Sequence, residues 1–291
     1  MWILFAFGSA IFAGITAVLS KIGIKDTDST VATAIRTIVV LIFSWIMAFI
    51  TGGAAQIGSI DGRAWIFLIL SGLATGASWL CYFHALGVGE VSKVTAVDKS
   101  STVLTMLLGI IFLNEGLTAI KAAAMVLIGI GTYLMIDKKP SVSKTDSEKT
   151  KGSWLIYAAF SAIFAALTSI LAKVGMQEIN SNLGTAVRTI IVLIMAWVMI
   201  PISGKTDKLK NIPRRSLAFI CLSGVATGAS WLCYFRALQD GPASVVVPID
   251  KLSILVTIVF ARIALKEKLS RRALIGLVMI IAGTFSLLIP A

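Results

Sequence analysis

The sequence predicts an all-α, polytopic membrane protein: ten transmembrane helices arranged as two inverted five-helix repeats. Three observations carry that prediction. Of 291 residues, 57% are hydrophobic and only 14% charged, whereas a soluble domain is about 45–50% apolar and about 25% charged. Ten stretches are long and apolar enough to span a bilayer core of about 30 Å, which takes about 20 residues of helix. The second half also repeats the first at a constant offset of 152 positions.

In chain order, the expected spans lie near 2–22, 31–51, 64–86, 92–113 and 118–137, then 154–174, 184–203, 216–238, 243–265 and 271–289. Turn-forming or charged residues separate them: Gly52-Gly53, 87–90, Asn114-Glu115-Gly116, 180–182, 204–215 and 266–272. The 2–22 stretch could pass for a secretory leader. It lacks a basic start and a small-residue cleavage pattern, and it has a twin in the second half, so it reads as a span. Residues 138–152 (KKPSVSKTDSEKTKG) form the long polar segment. The division is therefore a first repeat at 1–137, a linker at 138–152 and a second repeat at 153–291.

The repeat is explicit at residues 71–86 (SGLATGASWLCYFHAL) and 223–238 (SGVATGASWLCYFRAL), which agree at fourteen of sixteen positions. The same offset pairs Lys21 with Lys173, Arg36 with Arg188, Asp98 with Asp250, Lys99 with Lys251, Glu115 with Glu267 and Thr132 with Thr284. Shared hydrophobicity alone does not align polar residues in this way. A five-span unit ends on the face opposite its start. A short polar linker then forces the second unit to enter from the other side, which gives antiparallel halves and a route to alternating access.

The net charge of +12 would suggest nucleic acid in a soluble protein. Here the basic residues flank spans, and no basic stripe with interleaved aromatics exists, so no nucleic-acid partner is expected. On one side lie Lys21, Lys25, Lys93, the linker lysines, Lys205, Lys208, Lys210, Arg214, Arg215, Arg262, Lys266, Lys268, Arg271 and Arg272. On the other lie Arg63, Lys121, Lys173 and Arg236. The positive-inside bias puts the linker in the cytoplasm and both termini outside, in the cell membrane.

The turns 113–118 (LNEGLT) and 265–270 (LKEKLS), the small-residue third helix and the small residues at 129–132 and 282–284 carry a family resemblance. The chain resembles the EamA-like ten-helix exporters of the drug/metabolite transporter superfamily over nearly its whole length. That resemblance implies a secondary transporter whose cavity is lined mainly by the third, fourth, eighth and ninth helices. It leaves the substrate open among amino acids, nucleotide sugars, cations and other metabolites. One feature departs from the small multidrug relatives: the first and sixth helices carry no mid-span acid.

Charge inside a membrane span is a functional-site hypothesis by default. Asp98-Lys99 and Asp250-Lys251 sit within their spans. Neighbouring helical residues point about 100° apart, so each needs other partners. Arg36 and Arg188 lie at matching depth and are the candidate charge-pair or gating partners of Asp98 and Asp250. Lys99 and Lys251 are then left as cations, which favours a substrate bearing a carboxylate. The plainer alternatives are arginines that snorkel to the interface and a pair that only clamps helices.

Pro248, where the first half has Ala96, either kinks its helix beside the charges or belongs to a helix that starts late. Gly72/Gly76 and Gly224/Gly228 are packing signals. Ser78, Trp79 and Tyr82, with Ser230, Trp231 and Tyr234, are substrate-lining candidates; the aromatics can equally be lipid- or core-facing. His84 replaces Arg236 in the repeated motif and can titrate near neutrality. Glu115 and Glu267 are expected to cap the helices that follow them.

Cys81, Cys221 and Cys233 form no CxxC, and His84 is the single histidine. No metal site, no cofactor and no enzyme chemistry is expected, and no Walker motif points to ATP. The expected function is a secondary-active carrier, an exporter or exchanger of a small polar metabolite such as an amino acid or organic acid. The alternatives are a cation or drug efflux carrier, or a channel. Its partners are a small-molecule substrate, the lipid bilayer and, through Asp98 and Asp250, protons. Ten helices can enclose a cavity alone, so a monomer is expected.

Overall fold

The computed structural model describes residues 1–88, 91–135, 153–210, 212–264 and 270–289, and among them every regular element is a helix. The 138–152 linker and the turn at 265–269, including Glu267, lie outside the described residues. In the first half, α1 is Trp2–Gly23, α2 Ser29–Ile50, α3 Gly62–Val88, α4 Val91–Lys99, α5 Ser101–Phe112 and α6 Ala119–Met135. In the second, α7 is Ser153–Gly175, α8 Ser181–Ile202, α9 Arg214–Asp240, α10 Ala243–Lys251, α11 Ser253–Ala264 and α12 Arg271–Ser286.

Among the described residues, six helices are long and apolar enough to cross a membrane: α1, α2, α7, α8, α9 and the Gly62–Ala85 part of α3. The shorter α6 is apolar as well. Many large apolar side chains face outward, as on Leu4 (73% exposed), Phe49 (68%) and Ile111 (64%). The buried faces hold small residues instead: Ala6, Ser9, Ala10 and Gly14 on α1, and Ala32, Ala34 and Ala48 on α2. Lipid is as apolar as leucine, so helices associate through small residues that allow close approach.

Helix starts follow the capping rules. The Asp28 carboxylate accepts from the Thr30 N–H at 2.8 Å, and the Asn180 side chain from those of Asn182 and Leu183. Ser270 and Thr118 cap α12 and α6 in the same way. The turn before α6 places Asn114 at φ 51°, a left-handed conformation that asparagine tolerates.

The chain divides into two compact units, each drawing on both halves of the sequence. The first comprises 1–76, 171–241 and 249–267. Within it α1 packs on α9 and α11, and α2 packs on α8 and α9. The glycine motifs make the close approaches. A Cβ on Gly224 would stand 2.6 Å from the Val39 Cβ, and one on Gly72 would stand 2.7 Å from the Ile191 Cβ. The second unit comprises 77–170, 242–248 and 268–291, with α6 packed on α12. There Gly131 and Gly276 bring backbone against backbone: a Cβ on either would come within 2.6 Å of the other's carbonyl oxygen.

Candidate functional site

The expected fourth and ninth spans are not continuous helices. Each breaks immediately after its Asp-Lys pair: α4 ends at Lys99 and α5 starts at Ser101, while α10 ends at Lys251 and α11 starts at Ser253. At the breaks the backbone tightens, with the Ser100 N–H donating to the Val97 carbonyl at 3.1 Å and the Leu252 N–H to the Ile249 carbonyl at 3.0 Å. The lysines sit in the last turn of a half-helix, where a positive charge complements the helix dipole. Pro248 is inside α10, which begins at Ala243, so it does not mark a late start. It is not the cause of the break either, because α4 breaks at the same place with Ala96 there.

Both carboxylates are held by serines. In the second unit the Ser161 hydroxyl donates to the Asp98 carboxylate at 2.7 Å, and the Ser78 hydroxyl donates to the Ser161 carbonyl at 3.0 Å. In the first unit the Ser9 hydroxyl donates to the Asp250 carboxylate at 2.5 Å, and the Ser230 hydroxyl to the Ser9 carbonyl at 3.1 Å. Ser9 and Ser161 are fully buried, while Asp98 and Asp250 are half-buried. The two arrangements are copies: Ser9 and Ser161 are 152 positions apart, as are Asp98 and Asp250. Sequence reasoning missed these serines. The signal was available, since both are hydroxyls in apolar helices that align at the repeat offset.

The expected Arg188–Asp250 pair does not form. Arg188 is 1% exposed. Its Nε donates to the Ser71 hydroxyl at 3.3 Å and its Nη2 to the Thr75 hydroxyl at 2.8 Å. Its guanidinium carbon lies 4.3 Å from the Phe235 ring centre and 5.2 Å from that of Trp231. It therefore does not snorkel. α8 starts at Ser181, earlier than expected, which sets Arg188 two turns deep. Arg36 is half-buried and donates from Nε to the Ser223 hydroxyl at 3.0 Å. Asp98 belongs to the other unit, where Ser161 is its partner.

Of the remaining candidates, Lys99 is exposed and Lys251 half-buried. Trp79 is half-buried, and the Tyr82 hydroxyl lies 3.4 Å from that of Thr95. The Tyr234 ring meets the Phe235 ring edge-on at 5.0 Å, and Trp231 faces the Arg188 cation. His84 is exposed, with its ring 4.1 Å from that of Tyr157. Arg236 pairs with Asp240 at 3.0 Å.

Glu115 does not cap the helix that follows it. Its two carboxylate oxygens accept from the Ala243 and Ser244 N–H groups, at 2.5 and 2.8 Å. It thus caps the half-helix that carries Asp250, a role for which sequence order gives no sign.

The long apolar helices among the described residues define a multi-pass membrane protein, and in it the two Asp-Lys pairs stand at twin helix breaks. Residues 1–137 and 152–289 both match the EamA-like transporter family, and the chain belongs to it; that family is part of the drug/metabolite transporter superfamily. An "Uncharacterized transporter in cobO 3'region" of Sinorhizobium sp is 45% identical over 135 residues, 46% of this chain and 96% of that one. An uncharacterised transporter of Archaeoglobus fulgidus is 22% identical over 289 residues, covering 99% of this chain and 98% of its own. One crystal structure superposes with a TM-score of 0.80 at 15% identity, over 98% of this chain and 96% of that one, which bears on fold alone.

Proposed function

We propose that the protein is a secondary-active transporter that exports or exchanges a small polar metabolite, an amino acid or organic acid, by alternating access across the cell membrane. In this reading the ten spans form two inverted five-helix repeats, with the fourth and ninth spans broken, the linker cytoplasmic and both termini outside. The observation that carries it is the reciprocity of contacts at the repeat offset. Gly72 meets Ile191 and Gly224 meets Val39; Arg188 meets Ser71 and Arg36 meets Ser223; Asp98 meets Ser161 and Asp250 meets Ser9. A contact of residue i with j+152, matched by one of i+152 with j, is the signature of a two-fold relation between like units. The Sinorhizobium relative, almost all of whose length matches under half of this chain, fits a doubled unit.

Discontinuous helices with charges at their breaks are the usual build of a carrier site, because freed backbone and charge line the path. The serine-held Asp98 and Asp250 serve as proton sites, and Lys99 and Lys251 stand beside them at the breaks. Ser78, Ser230, Trp79, Trp231, Tyr82 and Tyr234 complete the lining. No enzymatic role is proposed.

The test is counterflow in proteoliposomes with labelled amino acids and organic acids. Saturable counterflow is expected, with proton-driven accumulation lost in Asp98→Asn and Asp250→Asn and substrate affinity lowered in Lys99→Ala and Lys251→Ala. Unsaturable ionic conductance would overturn the carrier reading.

A further inference from the structure

Among the described residues, Arg188 is a cation with no carboxylate partner. Its Nε and Nη2 are engaged by the Ser71 and Thr75 hydroxyls, and its flat faces by Phe235 and Trp231, all of them neutral groups. Its Nη1 is buried and has no hydrogen-bond partner. Burying a charge with an unfilled donor is expensive, by several kcal/mol in ordinary interiors. The expense is not inherent in the position: Arg36, the counterpart of Arg188 at the repeat offset, likewise donates to a serine, Ser223, yet it is only half-buried. One arginine is sealed and its counterpart is not.

We infer that Arg188 is the receptor for the substrate's carboxylate, with Nη1 as the donor, Ser71 and Thr75 fixing the guanidinium, and Trp231 and Phe235 walling the apolar part of the ligand. The inference rests on the carrier reading and moves anion recognition from Lys99 and Lys251 to Arg188. One positive charge among neutral partners is neutralised by one negative charge. A monocarboxylate meets that count, while a dianionic phosphate leaves an unpaired charge in a dry site. At 1% exposure the group is out of reach of lipid headgroups. A planar carboxylate also matches the guanidinium fork better than a sphere-like anion does.

The experiment is thermal unfolding of the full chain in detergent at constant ionic strength, titrated with sodium benzoate, inorganic phosphate or benzylamine. Benzoate is expected to raise the midpoint most. Arg188→Gln is expected to weaken the benzoate response about 10- to 100-fold, the scale of a hydrogen bond to a charged group. Arg236→Gln removes a cation elsewhere on α9 and is expected to leave the response intact. If Arg188→Gln does not fold, Thr75→Val, which frees Nη2 but keeps the charge, reads the same site by a weakened benzoate response.

Benzoate stabilisation that is unchanged in these variants, or a response to phosphate or benzylamine above that to benzoate, overturns the assignment. Arg188-dependent benzoate binding without counterflow of any solute sinks the carrier reading and leaves the anion site. Saturable counterflow of benzylamine untouched by Arg188→Gln does the reverse.

Discussion

Asp28 and Asn180 occupy the same place in the 152-residue repeat and do the same local work, each capping the next helix with a side-chain oxygen. Their surroundings differ. Asp28 binds Lys205 at 3.1 Å and Lys208 at 3.7 Å, and Lys205 also donates to the Thr30 hydroxyl at 2.9 Å. At the Asn180 end the partners are neutral: Gln56 accepts from the Asn180 N–H at 3.0 Å, and Asn182 donates to the Thr51 hydroxyl at 3.1 Å. The position matching Lys205 is Gly53, packed against Asn180. One turn is thus tied by ions and its counterpart by neutral hydrogen bonds and a glycine contact. The cap is the same at both positions of the 152-residue offset, while the chemistry around it differs. Only the ionic tie responds to salt and acid.

The largest test of that division is in the packing, where the halves are expected to behave alike. Gly72→Val and Gly224→Val each drive a side chain into a β-branched neighbour and the facing backbone, Ile191 with the Arg188 carbonyl or Val39 with the Arg36 carbonyl. Overpacking of this kind costs about 1–3 kcal/mol or more. Both variants should therefore lower the unfolding midpoint by similar amounts; a large inequality breaks the idea that packing kept the symmetry.

Next in size is the cap itself. Asn180→Ala removes a side-chain acceptor and costs about 0.5–2 kcal/mol. Asp28→Asn should cost less, because asparagine caps as well as aspartate does and the ion pair is partly exposed, worth under about 1 kcal/mol after screening. Salt sharpens the contrast: raising ionic strength should erase the difference between the parent and Asp28→Asn, and leave the difference between the parent and Asn180→Ala unchanged.

How much of this was legible beforehand depends on whether the cause was local. Apolar runs of about 20 residues marked α1, α2, α7, α8 and α9 to within a few positions, because span length is set by the bilayer. The repeat offset pointed to the charged pairs and the glycine contacts. The helix breaks were not legible: hydropathy averages over the 92–113 stretch and cannot register one turn of tightened backbone at Ser100. The Arg188–Asp250 pairing failed because matching depth does not fix which way a side chain points, and Arg188 meets Ser71 and Thr75 instead. Glu115 capping α10 is a contact between residues 128 positions apart, with no local pattern to announce it.

Acid gives the smallest and most specific test of the ionic tie. Partial burial pushes the Asp28 carboxyl up, but the hydrogen bond from Lys205, the Thr30 N–H, the Lys205 charge and the Val31 N–H together outweigh it and hold the group below its ordinary value. A carboxylate with a lowered folded-state pKa binds fewer protons folded than unfolded. Its stabilisation is complete above the unfolded value, near 3.9, and drains away as pH falls through the lower folded value. Between pH 5 and 8 the parent and Asp28→Asn should therefore differ by a constant amount. Below about pH 4 that difference should shrink toward zero as the parent loses its charge. Asn180 does not titrate, so the difference between the parent and Asn180→Ala should stay flat across the same range. A gap between the parent and Asp28→Asn that stays flat in acid would show that the two turns are held by the same neutral forces, and that Lys205 and Lys208 contribute nothing.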